Sequence, residues 1–104
     1  MAWYDTVKAA HLEVTDAVSH AKRLQSSRYF VWQEDGANDL EADGHHAEGA
    51  VTGTTDLFTM QEHDPWAEEL GEALSRHGVA WYLNSAQYEE DTGFFHYEWV
   101  WEVV

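Results

Sequence analysis

Phe94-Phe95-His96-Tyr97-Glu98-Trp99-Val100-Trp101-Glu102-Val103-Val104 is an alternating stretch. Phe95, Tyr97, Trp99, Trp101 and Val103 point one way, and Phe94, His96, Glu98, Val100 and Glu102 point the other. A period of two belongs to an extended backbone, so residues 94–103 read as a strand with one buried face. A face carrying two Trp and a Tyr has to be covered, and two helical patterns upstream supply the cover.

The sharper of these helices spans 65–77. Asp64 is a good N-cap residue and Pro65 a good first helical residue. Glu68 and Glu69 suit the positive end of the helix dipole. Trp66, Leu70 and Leu74, widened by Ala67 and Ala73, make the inward face, and Gly78 supplies a left-handed stop after Arg76 and His77. The other helix reads over 2–24, from the three-four spacing of Trp3, Val7, Ala10, Val14, Ala17, Ala21 and Leu24, with Lys22 and Arg23 in its last turn. It is expected to pack on the chain's own sheet.

Arg28 to Glu34 is dense in aromatic and β-branched residues and reads as a strand over 28–34. Residues 50–59 and 79–84 read as two more. The element order is therefore α-β-β-α-β-β: one α+β domain, a mainly antiparallel sheet packed against two helices. At 104 residues a single domain is the default. Two polar stretches interrupt the strands, Asp35–Gly49 and Ser85–Thr92, and the first is long for a hairpin connection.

Composition narrows the function classes. The formal net charge is −15, from 20 acidic and 5 basic residues. Such a surface repels phosphate backbones and anionic lipid, which argues against sequence-specific nucleic-acid binding and against membrane docking. Six Trp, five Tyr and four Phe supply the apolar area that a disordered chain lacks. The absence of Cys excludes disulfides and thiolate metal sites. No apolar run approaches the ~20 residues of a membrane span, and Met1 to Asp5 does not read as a signal peptide, so synthesis in the cytoplasm is expected.

No motif for chemistry emerges. Asp39-Leu40-Glu41-Ala42-Asp43-Gly44 has the alternating carboxylates that open a calcium loop, but the twelfth position, which must supply a bidentate acid, is Ala50. A solvated charge run accounts for it. His45-His46 with Glu48 could begin a metal site, yet adjacent residues on an extended chain point to opposite sides. The remaining His residues are scattered and read as surface or cap residues. There is no nucleophile elbow, no phosphate-binding Gly loop and no selectable pair of catalytic carboxylates. The expectation is a protein without an active site or cofactor, whose aromatic surplus serves its core and subunit contacts.

The arrangement resembles the tail terminator, or tail completion, proteins of long-tailed bacteriophages. The likeness runs through the aromatic strand Tyr29-Phe30-Val31-Trp32, the acidic loop with Ala42-Asp43-Gly44-His45-His46, and the strand end Asp56-Leu57-Phe58-Thr59-Met60. It continues through the capped helix with Trp66, Leu70 and Leu74 and the alternating strand 95–104. The resemblance implies a virion protein of the neck that forms a homo-oligomeric ring, a hexamer, on the head-proximal end of the tail tube. Its partners would be the major tail tube protein and the head-completion or connector protein, with DNA passing through the lumen. The polar loops are the expected contact surfaces: Asp35, Asp39, Glu41, Asp43, His45, His46 and Glu48 in the first, Gln61, Glu62 and His63 before the second helix, and Glu89, Glu90 and Asp91 in the last. Two other readings fit the same residues: another head–tail connector component, or a small acidic module that binds a basic protein or mimics DNA.

Overall fold

The computed structural model describes residues 2–35 and 50–104. It is an α+β domain with helix α1 (Trp3–Val14), strands β1 (Val18–His20), β2 (Arg28–Glu34) and β3 (Val51–Thr59), helix α2 (Trp66–Arg76), and strands β4 (Ala80–Tyr88) and β5 (Phe95–Val103). The five strands form one sheet in the order β1-β2-β3-β5-β4. Only the β1–β2 pair is parallel; the other neighbours are antiparallel.

The alternation in β5 decides the two faces, as its sequence demanded. Trp99, Trp101 and Val103 enter the main core, with Tyr97 packed at its border. They meet Phe30 and Trp32 of β2 and Leu57 of β3 on one side, and Val7, Ala10, Leu70, Ala73 and Leu74 of the two helices on the other. Burying a set this large is the main driving force of the fold, at roughly 1.5–3 kcal/mol for each large apolar side chain. Gly53 of β3 lies under the Trp101 indole, where any Cβ would collide with the ring.

α2 keeps the predicted boundaries to within a residue. Its C-terminus is closed by a Schellman motif, with Val79 N–H donating to Leu74 O at 2.9 Å and Gly78 N–H to Ser75 O at 3.0 Å. Gly78 adopts φ +76° there. At the other end the Asp64 carboxylate accepts from Trp66 N–H at 2.9 Å.

The first helix differs from the expectation of 2–24: it stops at Val14. Thr15 turns to extended backbone, and its hydroxyl accepts from Ala17 N–H at 3.0 Å, a local side-chain turn that competes with helix. Val18–His20 then becomes a fifth strand, parallel to β2 through Val18↔Phe30 and His20↔Trp32. A return of only about 10 Å lets residues 21–27 join two parallel neighbours without a helix. The lower half of the apolar stripe is thereby divided between the two sides of the sheet. Val14 and Val18 border the main core, whereas Ala17 packs on the opposite face against Tyr29, Val31 and Phe58. Lys22 and Arg23 do not end a helix. Arg23 lies 4.1 Å above the Phe58 ring and donates from Nε to Tyr29 Oη at 3.4 Å.

The third predicted strand, 79–84, is also longer than read. β4 runs to Tyr88, crossing an irregularity between Leu83 and Ser85, so half of the expected loop 85–92 is sheet. The remaining turn is closed by Glu89 N–H to Phe94 O at 2.8 Å, with Gly93 at φ +82°.

Candidate assembly surface

β4 is an edge strand, and nearly all of it is exposed. Ala80-Trp81-Tyr82-Leu83-Asn84-Ser85-Ala86-Gln87-Tyr88 holds no charged residue and no Pro, the two usual protections of an open edge. Its large side chains stay partly in water: Trp81 at 38 %, Tyr82 at 57 %, Leu83 at 47 % and Tyr88 at 53 % exposure. Trp81 and Leu83 share the helix side with Tyr97 and Trp99, and α2 only partly covers them. The result is an open groove of about 760 Å³ between α2 and β4, with an apolar floor and Glu68, Glu72 and Arg76 on its helical wall.

Local sequence builds this groove. Gly71 lets the Trp81 indole lie against α2; a Cβ there would come 2.7 Å from ring atoms Cη2 and Cζ2. The indole Nε1 donates to Ser75 Oγ at 2.9 Å, which fixes the ring across the helix. At the far end of α2, Arg76 donates to Glu13 Oε1 at 2.8 Å and His77 contacts Glu13 Oε2, tying the helix to α1. Those bonds hold the Glu13 carboxyl below its ordinary 4.5.

The predicted contact residues fall into separate places. Gln61, Glu62 and His63 form the exposed turn before α2, and His63 adopts φ +58°. Glu62 and His63 border a small hollow with Tyr88 and Phe95, so this turn and the Glu89-Glu90-Asp91 turn share one end of the sheet. Asp35 is at the opposite end, where its carboxylate accepts from Thr52 Oγ1 at 2.8 Å. Asp39, Glu41, Asp43, His45, His46 and Glu48 lie outside the described residues.

Three polar clusters stand behind these surfaces. Asp64 accepts from Arg28 Nε at 2.8 Å and from Thr59 Oγ1 at 2.7 Å, and Arg28 Nη2 makes the second prong of the pair. Burial works to raise the Asp64 carboxyl, but the bonds from Arg28, Trp66 and Thr59 outweigh it and the pKa falls below 3.8. The Arg28 guanidinium also stacks 3.6 Å from the Trp66 ring centroid. On the sheet face turned away from the helices, His96 stacks on Phe58 and is bracketed by Asp56 at 2.8 Å and Glu89 at 3.1 Å. Burial raises the Asp56 carboxyl above its usual 3.8. Each nitrogen of this imidazole lies within hydrogen-bonding distance of a carboxylate.

The third cluster corrects the reading of every His as a surface or cap residue. His11 is fully buried. Its Nδ1 lies 2.8 Å from Val7 O, which only accepts, so Nδ1 carries the proton. Nε2 then accepts from Thr55 Oγ1 at 2.8 Å, and Thr55 Oγ1 accepts from Trp101 Nε1 at 2.9 Å. Burial lowers the His11 pKa from 6.5 to about 4, against a smaller opposing effect of the Val7 carbonyl. Its place on the buried face of α1, one turn after Val7, was the available signal.

Among the described residues no group of three or more His, Cys, Asp or Glu is placed to hold a metal ion. Nor is any helix among them long and apolar enough to cross a membrane. The β4 surface was missed because Ser85–Thr92 reads as a loop; the uncharged run Gly78–Tyr88 was the signal that could have found it. No family model, curated protein or solved structure matches the chain.

Proposed function

We propose that this chain is a bacteriophage virion protein of the tail-terminator kind, which forms a ring capping the tail tube and joins it to the head-completion or connector complex. The observation that carries this reading is the uncharged, exposed edge strand β4 beside an apolar groove, in a chain with a net charge of −15. In a chain this acidic, close contact between copies is least opposed where local negative charge is absent. β4 is such a window, and its unpaired backbone groups offer directional bonds to a neighbour. The separation of Asp35 from the Gln61–His63 and Glu89–Asp91 turns supports the same reading, since a ring between tube and connector needs contacts at two ends. No catalytic step is assigned to the chain.

The test is to mix the purified protein with preassembled tail tubes and record negative-stain images and native mass spectra. Closed rings at tube ends are expected. A chain that stays monomeric and leaves the ends bare overturns the proposal.

A further inference from the structure

We propose that the β4 edge of one copy docks on the β1 edge of the next, with α1 of that second copy lying over the α2–β4 groove. This rests on the ring reading and names its subunit contact. Among the described residues the sheet has two edge strands, β4 and β1. Two arrangements are therefore simple: β4 on β4, about a two-fold axis, or β4 on β1, head to tail. Charge decides between them. Glu68 and Glu72 stand on the α2 wall of the groove, where Arg76 is already engaged by Glu13 of its own copy, and Glu102 is paired with Ala80 at the start of β4. A β4–β4 pair would bring the α2 acids of both copies to one seam, where like charges oppose binding.

The β1 side carries the cations that this wall lacks, Lys8 and Lys22, beside the exposed Asp5 and Asp16. Lys22 follows β1 and is exposed. Lys8 is exposed on α1, one turn after Tyr4, whose ring centroid is 5.2 Å from that of His20 in β1. Leu12 lies a further turn along the same flank and is 46 % exposed. The flank thus carries cations for Glu68 and Glu72 and an apolar side chain for the Trp81–Leu83 floor. Head-to-tail contacts between unlike surfaces generate a ring when the rotation closes.

The experiment uses the full chain on tail tubes. The protein has no Cys, so Ser19→Cys on β1 and Ser85→Cys on β4 can be introduced without background. Both positions lie on the sheet face turned away from the helices, by their pairing with Val31 and Glu98, and both are partly exposed. The two edges are four strand spacings, about 19 Å, apart within one chain. A bismaleimide with a shorter spacer therefore joins only neighbouring copies. The expected result is a covalent ladder from the double variant on tubes and only monomer from each single variant. Lys8→Glu is expected to weaken end capping by up to about fivefold per contact, and adding Glu72→Lys to restore it. A dimer from Ser85→Cys alone, or imaged rings without a ladder, overturns this contact while leaving the ring reading intact. Bare tube ends with the unaltered protein overturn both.

Discussion

Acidification should begin to destabilise this protein through one buried imidazole, before its depressed carboxyls contribute. His11 is held neutral between the Val7 carbonyl and the Thr55 hydroxyl, with Trp101 donating to that same hydroxyl. Protonating Nε2 would place a second donor against Thr55 Oγ1 and a charge among Phe30 and Trp32, whose rings lie 5.7 Å from the imidazole. Because the folded pKa is depressed, the unfolded chain binds more protons between the two values, and stability rises with pH across that interval. The contribution is complete above about 6.5 and is lost as pH falls towards about 4. At 1.36 kcal/mol per pH unit the full interval amounts to about 3 kcal/mol, a large share of the ~5–15 kcal/mol of a typical domain. The carboxyls of Glu13, Glu34 and Asp64, which are also depressed, act in the same direction, but their losses begin below their ordinary values of 4.5, 4.5 and 3.8. Urea midpoints measured from pH 7.5 down to 4.5 separate the two windows. His11→Leu leaves the Thr55 hydroxyl without its acceptor, so it lowers stability at neutral pH by about 1–3 kcal/mol. It also removes the titrating group, so its stability should be nearly flat between pH 6.5 and 5. Equal steepness in the two proteins across that interval would refute the assignment.

Two further substitutions test other parts of the structure. Asp64→Ala strips Arg28, Thr59 and the first turn of α2 of a shared acceptor, and should cost about 3–5 kcal/mol in urea denaturation. Gly71→Ala gains about 1 kcal/mol of helix propensity but expels the Trp81 ring from α2. Its unfolding free energy should stay within about 1 kcal/mol of the unaltered protein, because Trp81 is already partly in water. Tube capping, read by imaging, should fall sharply, since the groove floor is rearranged.

The legible parts of the fold were those where one local rule acts alone. β5 has a period of two over its full length, and α2 has an N-terminal acceptor, an inward face and a stop at Gly78. The segment after Val14 was illegible for the opposite reason. Ala17 and Ala21 continue a helical spacing, but small residues bury little area and hold a helix weakly. Pairing Val18–His20 with the aromatic strand β2 secures more. Two backbone bonds show the exchange: Phe30 N–H donates to Ala17 O at 3.0 Å and Ala21 N–H to Trp32 O at 2.9 Å. No spacing rule encodes a three-residue parallel strand. β4 failed differently. Ser85 and Gln87 look like loop residues because edge strands have one solvated side, and polar residues are acceptable there. The burial of His11 was legible from its place on the inward stripe of α1, but its hydroxyl partner Thr55, 44 residues away, was not.

The size of the β4 surface bears on when assembly happens. Trp81, Tyr82, Leu83 and Tyr88 are about half exposed. At ~200 Å² for a large side chain this amounts to roughly 400 Å² of apolar surface. Stable interfaces bury about 800 Å² on each partner. The patch therefore supplies about half of what a lasting contact between two free copies needs, and an average charge of −15 per copy opposes the encounter. A lone pair of subunits should dissociate readily. On a tube end, in the role proposed for this chain, every copy would be held beside two neighbours, and tube contacts would add to each edge contact, so the effective concentration would replace the missing area. The expectation under that proposal is a monomer in dilute solution that closes its ring only on its template. That is the behaviour required of a cap that must not assemble before the tube is complete.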